Sequence, residues 1–141
     1  MPDQQSDEHA YHELTAYTLS HRHPAFVHQH VVDAHAAQHA TASDKPIRLA
    51  FALLGLYLHL ERNFTGRQVQ RLHKQLADRT HSWPTFPLPA HRGGMTAVDV
   101  LAVPEGEARD RAIEEWCRSV WSTYAGSRPA VEALLREHGV I

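Results

Sequence analysis

From Leu49 to Leu60 the chain runs for twelve residues with only His59 breaking an otherwise apolar or small-residue stretch. A helix that spans a bilayer core needs about 20 such residues, so this run is too short to cross a membrane. It is still apolar nearly all round, and such a helix must be covered on every side. The surrounding sequence predicts further helices to provide that cover. Nowhere do four to eight β-branched or aromatic residues alternate between turn signals as strands require. The reading is an all-α fold: a single-domain helical bundle of about six to seven helices over 1–141, with a central apolar helix over 46–63.

The flanking elements follow from periodicity and punctuation. Residues 1–6 are polar and read as a frayed lead-in, without the basic start and apolar middle of a secretory signal. A first helix runs from about Asp7 to His21, where Leu14, Tyr17, Thr18 and His21 recur on one face. Pro24 opens a second helix to about Ala40, at a position where proline is tolerated. Thr65-Gly66-Arg67-Gln68 is a capping-box pattern that starts a fourth helix to about Arg79. Between Thr80 and Gly94, Pro84, Pro87 and Pro89 surround Trp83, Phe86 and Leu88. This Pro/Trp-rich extended segment, over 80–95, is expected to lie across the helical body. Thr96 and Asp99 begin a short helix that stops near Pro104. A long helix from Glu107 to about Ala125 places Ile113, Trp116, Cys117, Val120 and Tyr124 on one face, which makes Cys117 a core residue. The last helix, Arg128 to His138, ends at Gly139.

Composition excludes several functions. With 14 basic and 16 acidic side chains and a formal net charge of -2, the chain has no basic stripe for phosphates, so nucleic acid is not an expected partner. A single cysteine cannot build an internal disulfide framework, which fits a reducing, cytoplasmic setting. There is no Gly-x-Ser-x-Gly elbow and no phosphate-cradling glycine loop. What stands out is 13 histidines in 141 residues. His21, His23, His73, His81, His91 and His138 read as solvated background, and the rest are sorted by the face they occupy.

At about 100° per residue, His28, His35 and His39 fall within an arc of roughly 40° on the second helix, flanked by Val31 and Val32. His35 and His39 are four apart, a spacing at which two imidazoles can chelate one metal. On the central helix His59 shares a face with Ala52 and Gly55, whose small size admits a neighbouring helix, and it is a third candidate ligand. His12 on the first helix can reach the same centre. The ligand set His12, His28, His35, His39 and His59 suits a divalent transition metal, zinc foremost. Glu13 or Asp33 would accept a proton from the metal's water, and Asp33 and Gln38 are placed to hold the far N–H of ligating imidazoles. Two other readings stay open. His28 and His39 can be core residues bonded to Asp33, Tyr11, Tyr17 or Tyr57, or the histidines can form a pH sensor.

The stretch His28-Gln29-His30-Val31-Val32-Asp33-Ala34-His35-Ala36-Ala37-Gln38-His39 resembles the signature of an uncharacterised family of small bacterial helical proteins, a domain of unknown function. Lys45-Pro46-Ile47, Thr65-Gly66-Arg67, Trp83-Pro84, Gly94-Met95-Thr96 and Val120-Trp121 are similar to other parts of that family. The resemblance extends from about Tyr11 to Leu135 and brings no established activity. It ranks His12, Glu13, His28, Asp33 and His39 above His35, because the family's pattern is tyrosine-like at the positions of His30 and His35. The functional expectation is a metal-binding helical protein, by fold-level analogy with metal-dependent hydrolases built on helical bundles, acting on a small-molecule substrate. The alternative is an interaction module or homodimer, packed through the Trp83–Pro89 segment and the apolar helices, whose histidines are structural.

Overall fold

A computed structural model describes residues 4–21, 27–80 and 82–141. It is all-α: α1 (Gln4–His21), α2 (His28–Gln38), α3 (Pro46–Arg62), α4 (Gly66–Arg79), α5 (Ala97–Leu101), α6 (Glu107–Thr123) and α7 (Arg128–Glu137), with a 3-10 turn at Ala125–Ser127 before α7. No strand occurs among the described residues, and none of their helices is long and apolar enough to cross a membrane. The expected start of the second helix at Pro24 lies outside the described residues. The first helix begins earlier than its polar start implied, at Gln4, so part of the expected lead-in is helical.

The apolar run is the middle of α3, and every residue from Ala52 to Leu58 is buried. α2, α4, α6 and α7 all pack on α3. Its end is set by Asn63, whose φ of 58° turns the chain so that the Phe64 N–H donates to the Leu58 carbonyl at 2.9 Å. α4 starts on the expected capping box. The Gln68 N–H donates to Thr65 Oγ1 at 3.2 Å, and the Thr65 N–H donates to Gln68 Oε1 at 2.8 Å. On α6, Ile113, Trp116, Cys117 and Val120 are all buried, as is Tyr124 at its C-cap. The 82–95 segment has no regular structure and does lie on the helices. Phe86 is buried in the core, and Trp83 meets Phe51 edge-on and stacks on His138.

α2 is as central as α3, since α1, α3, α4 and α6 all touch it. It is not an apolar helix. It buries Val31, Ala34 and Ala37 together with His30, Asp33 and Gln38. The small residues let the neighbouring helices approach, so each buried polar group must find its partner on one of them. Gln38 shows how completely this can be met. Its Nε2 donates to the carbonyls of Arg92 (3.0 Å) and Met95 (2.6 Å), and its Oε1 accepts from Trp116 Nε1 at 2.9 Å. The side chain expected to support a ligating imidazole instead clamps the 92–95 loop to α6.

Candidate metal centre and the adjoining cleft

α1 and α2 meet in an antiparallel register that pairs Asp7 with His39, Tyr11 with His35 and Thr18 with His28. Asp7 is the residue that sequence reasoning missed. It continues the buried stripe Ala10, Leu14 and Tyr17 by one helical step, and it is only 3% exposed. Its Oδ1 accepts the Ala97 N–H at 3.1 Å, satisfying an otherwise orphaned donor at the start of α5, and its Oδ2 bonds His39 Nε2. The His35 ring lies 4.5 Å from that of His39 and stacks flat on Tyr11, at 3.8 Å with a 4° tilt. The stack fixes the plane of the His35 ring. Asp7, His35 and His39 each offer one ligand atom, and these atoms lie within 4.8 Å of one another. Among the described residues this is the one such group of three or more.

Burial, with the nearby His39, Arg48 and His12 adding to it, holds the His35 pKa down at about 3. The ring is therefore neutral at physiological pH and keeps a lone pair for a ligand. Its Nδ1 is buried without a hydrogen-bond partner.

The structure separates the other expected ligands. His28 bonds Thr18 Oγ1 through Nδ1 at 3.0 Å. His59 stacks on His30 with centroids 3.6 Å apart, contacts the Phe64 carbonyl at 3.3 Å and lies 3.8 Å from Glu114. His12 is exposed beside Glu8, although its charge reaches His35. Glu13 is exposed beside His9. A centre joining His12, His28, His39 and His59 does not form. His28 meets α1 more than two turns from His39, and His59 meets α2 on the side of His30, about half a turn round from His28, His35 and His39.

That other side of α2 carries Asp33. Its Oδ1 accepts from Gln29 Nε2 at 3.1 Å, and its fully buried Oδ2 has no partner. Desolvation pushes its pKa well above the usual carboxyl value, opposed only by the Gln29 bond. Gly55 on α3 makes this seating available, because a Cβ there would lie 2.0 Å from Asp33 Oδ2. Asp33 and His35 both line a cleft of about 300 Å³ shared with Gln29, Arg48, Phe51 and His73. His73 was expected on the surface but stacks on Phe51 at 4.5 Å, and burial lowers its pKa to about 4. A larger hollow of about 450 Å³ lies at the His30–His59 stack, rimmed by Glu107, Asp110, Arg111 and Glu114. Its rim charges already have partners: Asp110 takes the Tyr17 hydroxyl at 2.9 Å, and Glu114 takes Arg118 at 3.1 Å.

The chain belongs to a family described as a family of unknown function (DUF5946), whose model matches residues 2–125. The match covers α1 to α6 and supports the family resemblance read from the sequence. No match to the chain is found among curated proteins or solved structures.

Proposed function

We propose that the protein binds a divalent transition metal, zinc foremost, on Asp7, His35 and His39, and that this centre supports metal-dependent hydrolysis. The observation that carries the reading is the convergence of one buried carboxylate and two imidazoles within 4.8 Å. The donor set fits a borderline cation. Among the described contacts Asp7 meets His39 and the Ala97 N–H but no lysine or arginine. A buried carboxylate in that position favours a cation beside it. Such an ion supplies Lewis acidity, and three protein ligands leave a position for an exogenous group.

The chain's own residues orient the set. The Ala97 N–H holds Asp7, and the Tyr11 face holds His35, which are the supporting contacts that ligands need. His35 also lines the cleft, so a molecule in the cleft reaches the edge of the centre. Of the two carboxylates expected to take a proton, Asp33 lies on the cleft and Glu13 does not. The test is elemental analysis of the untagged full chain after incubation with zinc or nickel. Near-stoichiometric metal is expected, lost in Asp7→Ala and His39→Ala and kept in His28→Ala. Metal near zero in the unmodified chain overturns the proposal.

One observation favours a second reading. The pairs Asp7–His39, Tyr11–His35 and Thr18–His28 all join α1 to α2, so these histidines can serve packing alone in an interaction module or homodimer. On that reading a chelator leaves the melting temperature unchanged, whereas a resident metal makes it fall.

A further inference from the structure

We propose that the cleft between α2, α3 and α4 binds a small aliphatic zwitterion of the amino-acid class, with its ammonium group at Asp33 and His73 and its carboxylate at Arg48.

Three residues that line the cleft, Asp33, His35 and His73, carry unpaired buried polar atoms. Asp33 Oδ2 is a carboxyl oxygen whose twin already takes the Gln29 N–H. The His73 ring stacks on Phe51 and its Nε2 is buried without a partner, so with the ring proton on Nδ1 it presents a lone pair there. A carboxyl oxygen and an imidazole lone pair call for a ligand group rich in N–H donors, and an ammonium offers three while its charge draws the carboxyl into the ionised form.

The walls and the mouth narrow the class. Val32, Ile47, Phe51 and Ala52 give the cleft an apolar lining, and about 300 Å³ sits at the small end for ligand sites. Arg48 also lines it, and its charge acts on both Tyr11 and His35. Its guanidinium is largely exposed, and its nearest carboxylate, Asp44, stands 4.0 Å away. A cation at the mouth disfavours a bare amine and pairs with a carboxylate. Gly55 provides the room that lets the Asp33 carboxyl sit so deep.

The experiment titrates the full chain by calorimetry with leucine, isoamylamine and 4-methylpentanoate, which share a side chain and differ in their charged ends. Leucine is expected to bind tightest, isoamylamine about 10-fold more weakly and 4-methylpentanoate weakest, because it leaves Asp33 and His73 unpaired. Asp33→Asn should weaken leucine by about 10-fold or more, and Arg48→Gln should reduce the preference for leucine over isoamylamine. Ala36→Leu fills the cleft away from Asp33 and should abolish binding while helicity and melting temperature are kept, so the inference remains testable if Asp33→Asn does not fold. It is overturned if 4-methylpentanoate binds as well as leucine, if isoamylamine binds better than leucine, if leucine does not bind at millimolar concentration, or if Ala36→Leu leaves binding intact. Metal content measured on the same samples separates this inference from the metal centre: leucine binding by a metal-free chain supports the first and overturns the second, and the reverse result overturns the first alone.

Discussion

α2 has two polar seams, one against α1 and one against α3, and they treat buried polar groups in opposite ways. On the α1 side Asp7 bonds His39 and Thr18 bonds His28, while His35, whose Nδ1 has no partner, is held by its stack on Tyr11. On the α3 side the surface facing Asp33 is small or apolar, and Asp33 sits in the space left by Gly55 with one carboxyl oxygen unpaired. The first seam can hold two helices together with or without a metal. The second gains nothing for packing from its unpaired carboxyl oxygen, and that is the feature on which the proposed ligand site rests.

Acid should separate the two seams most strongly. His35 is held neutral down to about pH 3 in the native state, against 6.5 for the ordinary side chain. Between those values the unfolded chain takes up a proton that the native chain refuses, so stability from His35 is full above pH 6.5 and is lost as pH falls toward 3. Asp33 has the opposite sign. Its native carboxyl keeps a proton that the unfolded chain releases above about 3.8, so its contribution grows as pH falls toward that value. Urea unfolding with a chelator present should show His35→Phe flattening the acid loss between pH 6.5 and 4.5 by roughly 1–2 kcal/mol, after allowance for screening at a half-buried ring. Asp33→Asn should steepen it. Two variants with the same pH profile would remove the distinction between the seams.

Gly55→Ala probes the α3 seam directly. Helix propensity alone predicts a gain of about 1 kcal/mol for alanine in a helix interior. The added Cβ would stand 2.0 Å from Asp33 Oδ2 and 3.1 Å from Val69 Cγ1, so the carboxyl must move and strain its Gln29 bond. Overpacking of this kind costs about 1–3 kcal/mol, and the expected net result is a loss of about 1 kcal/mol by chemical denaturation. A stabilised variant would show that the seating of Asp33 does not depend on the glycine.

Much of the fold was legible because its signals are local. The α3 run, the Thr65–Gln68 box and the α6 face each depend on residues a few positions apart, and each appears where periodicity put it. The site was legible in part. The four-residue spacing of His35 and His39 is local, and the pair does come together. Asp7 escaped notice because it lies in a polar start, although it keeps the three- and four-residue rhythm of Ala10, Leu14 and Tyr17. Ala52 and Gly55 correctly signalled a close helix approach beside His59. What approached was the Asp33 and His30 side of α2, because a helical wheel orders residues around one axis and does not say which neighbour meets which stripe.

The smallest effect is expected at His59, and there the contrast is sharpest in kind. Its ring stacks on His30 at 3.6 Å, and its polar contacts are long: 3.3 Å to the Phe64 carbonyl and 3.8 Å to Glu114. Phenylalanine keeps the flat ring and the stack, and it removes a ring nitrogen whose pKa burial already holds low, so little charged interaction is lost. His59→Phe should therefore change stability by under about 0.5 kcal/mol and leave metal content unaltered. His39→Phe, equally conservative in shape, removes the group bonded to Asp7 and should lose the metal. Were His59→Phe instead to strip the metal, the centre would belong to the α3 seam, and the register of α1 on α2 would no longer explain which histidines act together.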